Sequence, residues 1–161
     1  MSTDPNISGE WLANGIGYMN PEDDPAFKLM SNHNRVPFLS FDEVKKYINH
    51  GMMDKSIQSD LYLLTTAVTG AHGFATRLED SSMYPRFNKD TYLIINRDKE
   101  VTDKEFVIVY IHEIDDIIFR QVELSNEGII LKPINNELFK YIKLKNHDKI
   151  IGALVEARWQ F

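Results

Sequence analysis

The chain of 161 residues contains no cysteine, which excludes a disulfide framework and a thiolate metal site. It lacks any stretch that approaches the roughly 18 consecutive apolar residues of a membrane span. Its polar start has none of the charged and hydrophobic regions of a signal peptide. The five histidines show no metal-ligand spacing and stand at positions 33, 50, 72, 112 and 147. We therefore expect a cytoplasmic protein with no membrane contact, no metal and no cofactor.

Positive charge is also scarce, because 18 Lys and Arg residues stand against 24 Asp and Glu residues, for a net charge of −6. DNA binding requires clustered cations that neutralise phosphates. The most lysine-rich stretch, residues 140–149, is interrupted by Asn146 and Asp148, which is typical of a solvated loop. We predict that this chain does not itself bind DNA.

Apolar residues, in contrast, make up 43% of the chain and aromatic residues 11%, which is enough for the core of one domain. From residue 73 onward, short runs of β-branched and aromatic residues alternate with Asn, Asp, Lys and Gly turns. The predicted strands are residues 74–79, 91–96, 106–112, 117–122, 128–132 and 150–159. This pattern predicts a mainly β domain over residues 73–161.

The chain upstream of residue 73 carries two short helix signals. The first begins near Ser8 and ends at two glycines, and residues 20–35 then have the composition of a linker. In the second, Ser40 and Glu43 form a capping-box pattern for a helix that runs to about Asn49, and Gly51 supplies a left-handed stop. We therefore predict an N-terminal extension and linker over residues 1–35 and a connecting region over residues 36–72.

Two adjacent serines, Ser81 and Ser82, stand between a predicted strand and Pro85, which cannot continue strand pairing because it has no N–H group. Such serines commonly cap turns through side-chain to backbone hydrogen bonds. A serine at such a break is also accessible, and it becomes a nucleophile where a neighbouring group removes its proton. The local sequence leaves both roles open.

The sequence Ser-Met-Tyr-Pro at residues 82–85, followed by an apolar run at 92–95, resembles the Gly-Asp-Ser-Met-x-Pro signature of LexA-type and phage-repressor C-terminal domains. Leu-Lys-Pro-Ile-Asn at 131–135 and Ile-Ile-Gly at 150–152 resemble two further elements of that family. The resemblance implies a LexA-like fold of the β-clip type and a Ser-Lys peptidase that cleaves its own chain. Lys89 and Lys104 replace glycines of the family's turns.

The resemblance also assigns roles at the site. It places Ser82 at the nucleophile position and makes the backbone amides of Ser81 and Ser82 the oxyanion donors. The family's general base is a lysine on the strand before the Leu-x-Pro element, and this position is Arg120 here. A guanidinium stays protonated near neutral pH and has no acceptor, so it cannot remove the serine proton. The nearest lysines, Lys104 and Lys132, fall in a turn and beside a proline, and we expect self-cleavage to be impaired or absent.

The family's self-cleavage site corresponds to His50 and Gly51 in this chain. A bulky imidazole replaces the small residue that is usual before the glycine. The same two residues are also a normal helix C-terminus, in which glycine adopts the left-handed conformation. Both interpretations, a scissile bond and a helix cap, remain open at this point.

Partners follow from the resemblance as well. Ser-Gly-Glu-Trp-Leu at residues 8–12 resembles the segment that closes the helix-turn-helix domain of phage repressors, so DNA contact is expected only through such a domain, absent from this chain. The family implies a homodimer or higher homo-oligomer and a RecA-type filament as an inducing partner. The closing aromatic and charged residues are either an interface or core, namely Leu154, Arg158, Trp159 and Phe161.

The function expected from these observations is that of a dimerisation and regulatory domain of a phage-type transcriptional repressor, with a peptidase-like serine site that has lost its base. Two alternatives stay open. One is an active serine peptidase that cuts its own chain between His50 and Gly51. The other is a stand-alone interaction protein that pairs with full-length repressors.

Overall fold

The computed structural model describes residues 34–51 and 57–159. The elements in these residues are β1 (Asn34–Pro37), α1 (Phe41–Asn49), β2 (Tyr62–Thr65), β3 (Phe74–Arg77), β4 (Tyr92–Asn96), β5 (Phe106–Ile111), β6 (Asp116–Ser125), β7 (Gly128–Lys132), β8 (Ile142–Lys143) and β9 (Lys149–Arg158). The predicted mainly β fold is therefore confirmed. The helix predicted near Ser8, most of the predicted linker, and Phe161 lie outside the described residues.

Seven strands form one sheet in the order β3-β4-β9-β5-β6-β7-β8, with antiparallel neighbours throughout. The ten-residue strand β9 pairs with β4 as far as Arg158, whereas its pairing with β5 ends at Ala153. The ten-residue strand β6 lies between β5 and β7, with Arg120 opposite Val107. β1 and β2 form a separate two-stranded sheet.

The large sheet is buried on both faces, because successive side chains of a strand point to opposite sides. On β5, Ile108 belongs to one apolar cluster, while Val107 and Val109 belong to another. The first cluster includes Phe41 and Val44 of α1, which places the helix over one face of the sheet. These contacts hold the turns around the serine pair against a packed core.

The capping box predicted for α1 is confirmed. The Glu43 amide donates to Ser40 Oγ at 3.2 Å, and the Ser40 amide donates to Glu43 Oε1 at 3.0 Å. The helix ends at Asn49, and Gly51 follows with a φ of 65°, in the left-handed region that favours glycine. The local signals at both ends of this helix therefore suffice to define it.

Two strands, β2 and β8, were not anticipated from the sequence, and β1 lies where the predicted linker meets the predicted connecting region. β2 follows a polar stretch, and β8 has only two residues within the lysine-rich stretch that was predicted to be a loop. β8 forms by pairing Ile142 with Leu131 of β7, and so depends on a neighbour that local pattern does not reveal. The predicted strands are confirmed. β7 has the predicted ends, and the others have shifted ends, such as β6, which continues to Ser125.

The larger of two compact units includes the described residues 36–51, 57–63 and 67–159 and holds α1 and the seven-stranded sheet. The smaller unit includes the described residues 34, 35 and 64–66. The predicted divisions after residues 35 and 72 stay predictions. No helix within the described ranges is long and apolar enough to span a membrane, and the expected cytoplasmic location also stays a prediction.

Candidate functional site

Ser81 and Ser82 lie in a turn that is held in place by contacts of the residues before and after it. Where β3 ends, the Leu78 amide donates to the Thr91 carbonyl at 2.9 Å and the Leu78 carbonyl accepts from the Asp90 amide at 2.8 Å. Met83, next to Ser82, is fully buried in the core cluster that contains α1. The turn is therefore fixed at both ends by hydrogen bonds and apolar burial.

The backbone of Ser82 is held by a second segment, which follows β7. The Ser82 carbonyl accepts hydrogen bonds from the amides of Ile134, at 3.0 Å, and Asn135, at 2.8 Å. The Asn135 side chain donates from Nδ2 to the Ser81 carbonyl at 3.3 Å. Ser82 itself is fully buried. The Leu-x-Pro-x-Asn element thus closes over the serine, which is not the accessible residue that the turn pattern predicted.

Arg120 reaches the serine hydroxyl from the middle of β6. Its Nη1 donates to Ser82 Oγ at 2.8 Å and to the Phe119 carbonyl at 2.9 Å. The guanidinium lies over the Phe139 ring, 5.4 Å from its centroid. Arg120 is 4% exposed, and its Nε has no hydrogen-bond partner among the described residues. The two side chains assigned to the site by resemblance therefore touch directly, across 38 residues of sequence.

Burial lowers the pKa of the Arg120 guanidinium, and the Asp80 carboxylate partly opposes this shift. A guanidinium begins from a pKa so high that it remains a cation near neutral pH. It offers only donors, so it stabilises a lone pair on Ser82 Oγ and cannot accept the hydroxyl proton. In the described part of the chain, Arg120 is the hydrogen-bond partner of that hydroxyl. The contact orients the serine without activating it.

Lys104 and Lys132, the lysines nearest in sequence to the general-base position, both interact with Glu123. Lys132 Nζ lies 2.8 Å from Glu123 Oε1, and Lys104 Nζ lies 3.4 Å from the same oxygen. The hydrogen bond to Glu123 raises the pKa of Lys132, which favours its charged form. Lys104 has a φ of 73°, so it adopts the left-handed conformation expected of the glycine it replaces. Their observed partner is Glu123.

Of the two amides assigned to the oxyanion site, that of Ser82 is already hydrogen-bonded. The Ser82 amide donates to Oδ1 of Asp80 at 2.9 Å, while Ser81 is partly buried and its carbonyl accepts from Asn135. Asp80 received no role from the sequence, although an acidic residue two positions before a turn serine is a common side-chain acceptor. Asn135 and Phe139 were missed because their contacts are long-range.

His50 and Gly51 lie at the exposed end of α1. The His50 amide donates to the Lys46 carbonyl at 3.1 Å, and the Gly51 amide donates to the Ile48 carbonyl at 3.1 Å. These are helix-end bonds, as the capping interpretation predicts. The assignment of this peptide bond as a cleavage site stays a prediction, and cleavage requires it to meet a serine that is buried in the present conformation.

The closing segment divides between core and surface. Leu154 packs against the core cluster that contains α1, whereas Trp159 is 55% exposed. Trp159, Leu154 and Glu156 of this segment line a groove of about 470 Å³ together with Arg86 and Phe106. Leu154 is thus partly buried against the core, whereas Trp159 is at the surface, and the interface role of this segment stays a prediction.

Comparison with known proteins gives two matches. A family model described as Peptidase S24-like matches residues 42–155. The chain is also 23% identical over 130 residues to a Coxiella burnetii (strain RSA 493 / Nine Mile phase I) protein described as an uncharacterized HTH-type transcriptional regulator. The match covers 80% of this chain and 60% of the relative, so the chain spans less than two thirds of that protein's length.

Proposed function

The chain belongs to the Peptidase S24-like family, as the resemblance to LexA-type domains predicted, and we propose that it is the self-association and regulatory domain of a transcriptional regulator whose self-cleavage is impaired. The observation that carries this proposal is the 2.8 Å hydrogen bond from Arg120 Nη1 to Ser82 Oγ. It puts a permanent donor where a peptidase of this kind needs a proton acceptor.

The regulatory part of the proposal is supported by the Coxiella burnetii relative, whose description is that of a transcriptional regulator. DNA contact is assigned to a helix-turn-helix domain outside this chain, because the net charge of −6 opposes phosphate binding by the β domain itself. Control by a RecA-type filament and an origin in a phage-type repressor remain part of the proposal.

The impairment of the peptidase follows from the lack of a group that can accept the Ser82 proton. Cleavage would require Ser82 Oγ to lose its proton while attacking the His50 carbonyl carbon, and the Gly51 nitrogen to gain a proton as it leaves. Arg120 cannot take the first proton, because its guanidinium is already protonated and has no lone pair to offer. The serine is therefore hydrogen-bonded by Arg120 but not activated by it.

Self-association is supported by the groove beside β9. Its lining combines an exposed aromatic, Trp159, with groups of opposite charge, Arg86 and Glu156. In a two-fold pair every contact occurs twice, so a surface that carries both charges can pair with its own copy. Aromatic and arginine side chains are also enriched at interface hot spots. We assign the groove to a second copy of this chain.

An intact-mass time course of the purified chain, from neutral to alkaline pH, tests the peptidase part. We expect the unmodified chain to stay whole at every pH, because arginine does not titrate in this range. The Arg120→Lys variant should release fragments 1–50 and 51–161 as its lysine deprotonates. Arg120→Lys combined with Ser82→Ala is the matched control and should stay whole.

Cleavage of the unmodified chain that Ser82→Ala abolishes would overturn the proposal and identify an active self-cleaving peptidase. If the Arg120→Lys variant folds but stays whole, Arg120 is not what prevents cleavage. The third possibility is a stand-alone protein that pairs with full-length repressors. It is tested by mixing the chain with a full-length repressor, and the formation of mixed dimers would support it.

A further inference from the structure

We propose that Asp80 is a positioning residue that keeps the Ser82 site closed, by holding its carboxylate on the serine amide and toward the cation at position 120. The proposal rests on the function proposed above. It identifies a second obstacle to cleavage, independent of the missing lysine. Replacing Arg120 by lysine would then restore only part of the lost activity.

The first step of the argument is the geometry of the Ser82 amide. Acyl transfer by a serine requires N–H donors aimed at the oxygen that becomes negative in the transition state. The Ser82 amide has one hydrogen, and it is donated to Asp80 Oδ1 at 2.9 Å. A substrate carbonyl in this site would have to displace that carboxylate, which bears the same charge as the developing oxyanion.

The second step concerns charge. Asp80 is the charged group of the described chain that acts on the Arg120 guanidinium, and it favours the cation. The other neighbours of the guanidinium are neutral: the Ser82 hydroxyl, the Phe119 carbonyl and the Phe139 ring. A lysine at this position must be neutral to act as a base, and a nearby carboxylate raises the pKa of an ammonium. Asp80 would therefore also oppose a restored base.

A turn-forming aspartate is the simpler alternative, since a side-chain acceptor two residues before an amide is a common turn element. That role requires only the Oδ1 acceptor and no charge. Asp80→Asn keeps the acceptor and removes the charge, whereas Asp80→Ala removes both. Comparison of the two variants therefore separates the effect of the charge from the effect of the hydrogen bond to the Ser82 amide.

The experiment compares cleavage rates over pH in the Arg120→Lys background, alone and with each Asp80 variant. We expect Asp80→Asn to move the midpoint of the cleavage profile about one pH unit lower, since it removes an opposite charge from the introduced lysine. Its plateau should rise less than that of Asp80→Ala, because the asparagine oxygen still accepts from the Ser82 amide. Asp80→Ala should give the same shift and also raise the plateau at least about tenfold, because the Ser82 amide becomes a free donor.

Glu79→Gln in the same background is the matched control, because Glu79 is the adjacent carboxylate and its Oε2 accepts instead from the Phe41 amide, at 3.3 Å. It should move neither midpoint nor plateau. A second readout is independent of cleavage. The pKa of the introduced lysine, followed by NMR with labelled lysine, should fall by about one unit in Asp80→Asn and stay constant in Glu79→Gln.

The outcomes separate this proposal from the function it rests on. If Arg120→Lys cleaves and the Asp80 variants match its midpoint and plateau, Asp80 is only a turn residue, and the impaired-peptidase proposal stands. If none of the variants cleaves, the impaired-peptidase proposal loses its basis, and the NMR titration alone decides on Asp80. A lysine pKa that is the same in Arg120→Lys alone and after either Asp80 substitution overturns the proposal.

Discussion

Two arginines of this domain lie over phenyl rings, in opposite surroundings. Arg120 is 4% exposed and its guanidinium lies 5.4 Å from the centroid of Phe139. Arg86 is exposed, and its guanidinium lies 4.9 Å from the centroid of Phe106. The same pair of chemical groups therefore occurs once inside the fold and once at its surface, and the difference separates a structural cation from one that remains able to meet a partner.

The buried pair, Arg120 and Phe139, stabilises the fold by connecting separate elements. Arg120 joins β6 to the Ser82 turn through a hydrogen bond and to the segment after β7 through Phe139. Desolvation of a charge is costly, so removing such contacts leaves the neighbours without compensation. Arg86 instead borders an open groove together with Trp159. On the function proposed above, the family's catalytic position has become structural, while the surface that supports association stays accessible.

The largest expected effect is on folding stability at the buried arginine. Arg120→Ala should lower the free energy of unfolding by about 3 kcal/mol, because it leaves a cavity and deprives Ser82 Oγ of its donor. Arg86→Ala is the matched control and should cost less than about 1 kcal/mol, as an exposed cation over a ring. Urea unfolding of both variants measures the difference. Equal losses would contradict the distinction between the two arginines.

The contact between Ser82 and Arg120 could be anticipated from sequence, because both positions fall within motif elements whose spacing is preserved. The capping box of α1 could be anticipated too, since Ser40 and Glu43 are close in sequence. Phe139 could not be assigned, because its contact with Arg120 depends on where the chain returns after β7. Asp80 was overlooked, although its bond to the Ser82 amide is local. Burial of Ser82 was also missed, since a turn pattern carries no information about the segment that covers it.

The next effect concerns association, and it separates the groove from the fold. Trp159→Ala should raise the dimer dissociation constant at least about tenfold, or roughly 1.4 kcal/mol, with little change in stability, since Trp159 is 55% exposed. Tyr141→Ala is the matched control, because Tyr141 is 53% exposed and precedes β8 at the other end of the sheet order. Sedimentation velocity over a concentration series measures both. If the two variants weakened the dimer equally, the groove would not be the dimer interface.

The smallest effect tests the exposed arginine itself. Arg86→Lys keeps the positive charge at the groove, but it loses the planar group that stacks over Phe106. We expect the dissociation constant to rise about two- to threefold, or roughly 0.5 kcal/mol, because a lysine that no ring holds in place loses more conformational freedom on pairing. Arg86→Glu reverses the charge and should weaken the dimer more than Arg86→Lys, by an amount that shrinks as salt is added. If Arg86→Lys leaves the constant unchanged while Arg86→Glu raises it, charge alone acts at the groove, and the ring contact of Arg86 contributes only to the monomer.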